Sequence, residues 1–179
     1  MSIRYAMVVD TRLCVACKAC VLACKAENAV PEGFCRDWLV EEVRGEFPNL
    51  TAENRSERCN HCSNAPCVSA CPTGASHVAE GGIVLVTPDK CTGCKACMSA
   101  CPYDARYVTP GGYIDKCTFC VHRVQRGDEP ACVAVCPTRT LHFGDLNDPD
   151  STVSRLLRTR PHKVNHPERG AVPNVYFLV

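Results

Sequence analysis

Four cysteines fall within "CVACKACVLACK" (residues 14–25), spaced C-x2-C-x2-C-x3-C, and "CTGCKACMSACP" (residues 91–102) repeats the spacing. The two strings agree at seven of twelve positions, including all four cysteines and the lysine between the second and third. Two further sets complete the pattern. Cys59, Cys62, Cys67 and Cys71 are spaced C-x2-C-x4-C-x3-C, and Cys117, Cys120, Cys132 and Cys136 are spaced C-x2-C-x11-C-x3-C. Sixteen of the seventeen cysteines therefore sort into four sets, leaving Cys35 over. Proline follows the last cysteine in three sets (Pro72, Pro102 and Pro137), whereas Lys25 stands there in the first. The apolar fraction of 46% counts every cysteine and overstates the oily core. Something besides hydrophobic burial must help to hold such a chain together.

A cysteine content this high points to a disulfide scaffold, zinc sites or iron–sulfur clusters. Disulfide scaffolds are usually shorter and begin with a signal peptide. The start "MSIRYAMVVD" has neither an apolar h-region nor a small-residue cleavage site. Zinc ribbons set two C-x2-C knuckles well apart, so a third cysteine two residues further on fits zinc poorly. The spacing is that of bacterial ferredoxins, in which three close thiolates bind one cube and the fourth binds its neighbour. Two-residue gaps wrap a tight loop around three corners of a cluster. The next three residues make about one helical turn and carry the last thiolate away. Proline then supplies no N–H and favours a change of direction. Small residues in the loops (Ala16, Ala19, Gly93 and Ala96) let backbone amides approach the sulfurs. Sixteen ligands make four [4Fe–4S] clusters. Each oxidised cube with its thiolates carries −2, which takes the formal charge from +1 to about −7. A nucleic-acid binder is expected to be strongly basic, and this chain is not.

The fold expected is α+β and loop-rich. "YAMVVD" and "GIVLVTPDK" read as short strands leading into cysteine loops, with a turn at Gly81–Gly82. Two ferredoxin-like modules account for the sets: residues 1–30 with 108–150 carry sets one and four, and residues 51–107 carry sets two and three. Spacing alone also permits sequential pairing of sets one with two and three with four. Residues 31–50 read as a hairpin-like insertion. Residues 151–179 contain no cysteine and read as an extended C-terminal tail, either a surface wrap or a docking arm. There is no uninterrupted apolar run of about 18 residues, so no membrane-spanning helix is expected.

The strings "CVACKACVLACKAEN", "CNHCSNAPCVSACPTGA", "CTGCKACMSACPYDARY", "KCTFCVHR", "PACVAVCPT" and "FGDLNDP" resemble the four-cluster iron–sulfur subunits of the molybdopterin oxidoreductase superfamily. The likeness is to the polysulfide, thiosulfate and dimethyl sulfoxide reductase type and runs nearly end to end. It implies nested pairing. Cys14, Cys17, Cys20 and Cys136 hold one cluster, and Cys24, Cys117, Cys120 and Cys132 the second. Cys59, Cys62, Cys67 and Cys101 hold the third, and Cys71, Cys91, Cys94 and Cys97 the fourth. It also implies a molybdenum or tungsten catalytic subunit near the first cluster and an integral-membrane quinone subunit near the fourth. Some relatives carry tryptophan at the position of Cys94 and a three-iron cluster there; cysteine at this position implies a fourth cube.

Outside the sets, Cys35 is expected to be a buried, inert thiol. His61, between two ligands, is expected at the surface or in a structural role near the cluster. Lys18 and Lys95 hold equivalent places between ligands, either solvated or close enough to raise a potential. No nucleophile–base set is legible, so the chain is read as having no catalytic site of its own. The function expected is single-electron relay between catalytic and membrane subunits. The alternatives are an electron subunit of a hydrogenase or formate dehydrogenase complex, or a free soluble polyferredoxin. Without a signal peptide, the chain is expected on the cytoplasmic face or exported folded beside a signal-bearing partner.

Overall fold

The computed structural model describes residues 2–179, an α+β chain of short elements joined by loops. Its largest sheet is built on β1 (Tyr5–Asp10). β8 (Leu141–Asp145) pairs antiparallel along one edge of β1, and β10 (Val175–Leu178) pairs parallel along the other. The two-residue β9 (His162–Lys163) closes the outer edge of β10. Residues Ala6 to Val9 are all fully buried, because this central strand is covered on both faces. Side chains alternate along it. Met7 and Val9 face the main core with Phe119 and Phe177, while Val8 meets Val153 and Leu178 on the opposite face. That second face is covered by α6 (Thr152–Thr159), which begins at Ser151, whose side chain caps Ser154 N–H. Val153, Leu156 and Leu157 recur at helical spacing and supply its apolar stripe. The sheet thus separates α6 from the thiol-bearing body.

Residues 151–179 are therefore not an extended peripheral tail. They form α6, β9 and β10, and Val175, Phe177 and Leu178 are at most 1% exposed. The reason is the open edge of β1. With β8 on one side only, its backbone groups need a second partner, and "VYFL" supplies one with apolar side chains on both faces.

β2 (Asp37–Glu46) and β3 (Asn49–Arg58) form a long antiparallel hairpin around a cis Phe47–Pro48 bond. Its base is buried at Asp37, Ser56 and Arg58, and its tip is exposed, with Phe47 at 88%. The hairpin overruns the segment read as an insertion, since β3 continues to Arg58, directly before Cys59. Two smaller hairpins pair β4 (Ser76–Val78) with β5 (Val84–Val86) and β6 (Tyr107–Val108) with β7 (Ile114–Asp115).

The missing proline of the first set has a visible consequence. α1 (Ala19–Glu27) runs through Cys24 for nine residues. Its counterparts α2 (Pro66–Ser69), α3 (Ala96–Ser99) and α5 (Ala131–Ala134) each last four residues and stop two short of the cysteine that precedes proline. A residue before proline is pushed out of the helical region, so these helices end early. One further turn, α4 (Val121–Val124), follows Cys120. α1 packs on α5, and α2 packs on α3.

Candidate metal centre

All four sets share one backbone device. The residue immediately before the second cysteine has a left-handed φ in each: Ala16 (53°), His61 (42°), Gly93 (67°) and Phe119 (51°). Such a residue turns successive N–H groups toward one concave side, which favours an anion. Lys18 and Lys95 repeat the conformation at φ 62° and 64° and precede α1 and α3. Glycine is required at position 93, because any Cβ there would collide with the Gly112 carbonyl.

Backbone amides donate directly to sulfur. Thr140 N–H reaches Cys136 Sγ at 3.2 Å and Ser76 N–H reaches Cys71 Sγ at 3.3 Å. Ile114 N–H reaches Cys91 Sγ and Phe119 N–H reaches Cys117 Sγ, both at 3.4 Å. Burial alone would raise the Cys71 and Cys136 thiols, but amide and threonine donors outweigh it and lower both below the ordinary cysteine value. Elsewhere burial wins. It pushes Cys62 and Cys117 up to about 12 and raises Cys24 and Cys132 strongly. Thiols so placed keep their protons until a metal displaces them.

The thiols gather in four groups. Cys14, Cys17, Cys20 and Cys136 line one recess with Leu39, Ser56 and Thr140. Cys117 and Cys120 lie beside both Cys24 and Cys132. Asn28 Nδ2 bridges Cys24 and Cys120, at 3.7 and 3.6 Å from their sulfurs. Cys62 and Cys67 each face Cys59 and Cys101. Cys97 faces Cys71 and Cys91, with Cys94 exposed three residues past Cys91. In the first recess three cysteines of one set meet one of another. Among the described residues no three metal-binding side chains close on a single-ion site. Four thiolates on one zinc would lie only about 4 Å apart, given Zn–S bonds near 2.3 Å.

Electrostatic neighbours link the groups one to the next. Arg58 is adjacent to Cys20 of the first group and to Cys117 and Cys132 of the second. Cys117 in turn neighbours Cys59 of the third. Arg106 hydrogen-bonds Cys67 of the third group and Cys97 of the fourth, with Cys59 and Cys101 near enough to feel its charge. All four cysteines of the second group are buried, as are three of the third, whereas Cys17 and Cys94 expose the first and fourth.

Three buried cations lie among these groups. Arg58 is fully buried and paired with Asp37, Nη2 to Oδ2 at 2.8 Å. Lys116, 1% exposed, donates to the carbonyls of Val84 and Cys117. Arg106 donates to Cys67 Sγ at 2.8 Å and Ser76 Oγ at 3.0 Å. Its Nε and Nη1 are buried with no partner. Burial works against the Arg106 charge, yet the nearby cysteine sulfurs, where deprotonated, outweigh it and raise its pKa. An interior that holds two cations without matching carboxylates, and amides aimed at sulfur, fits an anionic iron–sulfur group.

One reading of a single residue needs correction. Cys35 is exposed, not buried, because the loop before β2 turns Phe34 inward to stack on Tyr107 at 4.8 Å. Of the two places expected for His61, the structural one holds, and it does not reach the surface. Its ring is fully buried and stacks on Phe119 at 3.7 Å, and Val84 N–H donates to its Nδ1. Burial, followed by Lys116, Arg106 and Arg58, lowers its pKa well below the usual imidazole value, so it stays neutral. Lys18 and Lys95 are both exposed. Asn28, Arg58, Arg106 and Lys116 escaped sequence reasoning. Their closeness to cysteines along the sequence, and the strings "CVACKACVLACKAEN", "CPYDARY" and "KCTFCVHR" around Asn28, Arg106 and Lys116, were the hints.

Comparison with known proteins places this geometry among iron–sulfur proteins. A 4Fe-4S dicluster domain matches residues 50–146, and a 4Fe-4S binding domain matches residues 12–27. The sequence is 46% identical to the protein NrfC homolog of Haemophilus influenzae, over 98% of this chain and 80% of that one. It is 42% identical to a polypeptide of the polysulfide reductase of Wolinella succinogenes, over 99% and 95%. A subunit of the tetrathionate reductase of Salmonella typhimurium is 41% identical over 98% and 72%. No helix among the described residues is long and apolar enough to cross a membrane.

Proposed function

The protein belongs to the 4Fe-4S dicluster family of reductase iron–sulfur subunits, and from that membership we propose that it carries four [4Fe–4S] clusters as an electron relay. The relay joins a molybdopterin-containing catalytic subunit to a membrane quinone or quinol subunit. Each cluster, when bound, accepts and returns one electron. The chain's residues fix separations, exclude water and donate hydrogen bonds to sulfur. Cys14, Cys17, Cys20 and Cys136 hold the first, and Cys24, Cys117, Cys120 and Cys132 the second. Cys59, Cys62, Cys67 and Cys101 hold the third, and Cys71, Cys91, Cys94 and Cys97 the fourth. The packing of α1 on α5 and of α2 on α3 supports two ferredoxin-like modules, one of residues 1–30 with 108–150 and one of 51–107.

The observation that carries a relay is the burial profile of the linked groups. The two inner thiol groups are enclosed, and the two outer ones reach the surface at Cys17 and Cys94. That is the arrangement required of a path with one entry and one exit. Anaerobic purification should yield roughly 16 iron and 16 sulfide per chain; four zinc and no sulfide would overturn the assignment. Extraction from native membranes should recover a large molybdenum- or tungsten-containing subunit with an integral-membrane partner. Recovery as a soluble monomer with no large partner would defeat the relay between subunits.

A further inference from the structure

We propose that Arg106 is a fixed counter-charge shared by the third and fourth thiol groups, raising the reduction potentials of both clusters held there. Its side chain is the contact common to the two groups. Nη2 lies 2.8 Å from Cys67 Sγ, and the side chain also hydrogen-bonds Cys97. The residue is 4% exposed, and among the described residues no carboxylate pairs with it. Ser76 Oγ, at 3.0 Å from Nη2, helps to set its direction. With Nε and Nη1 unpartnered, nothing else in the interior neutralises this charge. Arginine does not lose its proton in proteins, so the charge persists across working pH.

Reduction of a cube by one electron adds one negative charge. A fixed cation a few ångströms away stabilises the reduced form more than the oxidised one, and low dielectric strengthens the effect. Arg58 provides the internal contrast. It feels the charge of cysteines in the first and second groups but is already neutralised by Asp37. Arg106 is therefore a potential-setting residue for two of the linked groups. It ligates nothing and touches no reacting substrate.

The inference rests on the four-cluster reading. The test is a redox titration, followed by electron paramagnetic resonance, of the full chain loaded with iron and sulfide. Wild type and Arg106→Gln are compared, with iron content measured on each. In the glutamine variant two of the four clusters should become at least tenfold harder to reduce, a downward shift of about 59 mV for a one-electron couple. The other two should stay within threefold. Full iron content with all four potentials unmoved would overturn the inference. If the glutamine variant fails to retain iron, Arg106→Lys decides. Potentials within threefold of wild type support the charge role, whereas a tenfold shift or loss of iron overturns it. A wild-type chain lacking the expected iron and sulfide would instead refute the four-cluster reading, a separate outcome.

Discussion

The two halves of the thiol series solve the same electrostatic problem differently. Around the first and second groups, the buried cation Arg58 is locked to Asp37 at the base of the β2–β3 hairpin, and α1 runs for nine residues beside it. Around the third and fourth groups, Arg106 has no carboxylate among the described residues, the helices are four residues long, and the loops turn at Gly93. The first half is held by a preformed ion pair and a long helix. The second leaves a cation open to whatever anion the thiols enclose.

The largest effect should come from breaking the preformed pair. Asp37→Ala strands Arg58 in the interior and should cost about 3–5 kcal/mol, read from urea unfolding of the loaded chain. A loss below about 1 kcal/mol would mean that the thiol groups already balance Arg58, and the contrast between halves would collapse. Next comes Lys25→Pro, which gives the first set the proline of the others. It interrupts α1 and removes the Lys25 Nζ bonds to the Phe34 and Pro31 carbonyls. The expected destabilisation is about 3 kcal/mol, by the same measurement. No loss would show that the length of α1 is incidental.

Gly93→Ala should cost about 1–3 kcal/mol, because the residue is left-handed and the Gly112 carbonyl occupies the space of a Cβ. Ala16→Gly, at the matching position of the repeat, should stay within about 1 kcal/mol. Equal costs at the two sites would remove this distinction between the repeats. Ser76→Ala is the mildest. It deletes one hydrogen bond to Arg106, for about 1 kcal/mol, and thermal unfolding should detect it while iron content remains unchanged.

Legibility followed the range of the forces involved. The cysteine loops, the β1 and β5 strands and the turn at Gly81–Gly82 depend on neighbours within a few positions, so spacing and alternation revealed them. α+β was readable for the same reason. The role of residues 151–179 was not, because "VYFL" becomes a core strand only when β1 presents an open edge to it. Nor was the exposure of Cys35, which depends on Phe34 finding Tyr107. The burial of His61 likewise requires Phe119, far along the sequence.

Sequence alone sufficed for four thiol sets, their local loops and the reason the first helix outlasts the others. These are consequences of backbone stereochemistry and proline, which act between adjacent residues. Only the folded protein decided that Cys17 and Cys94 reach solvent, and that one buried arginine has a carboxylate while another has none among the described residues. Charge and burial act through space between residues far apart in sequence, and no local pattern encodes that distance.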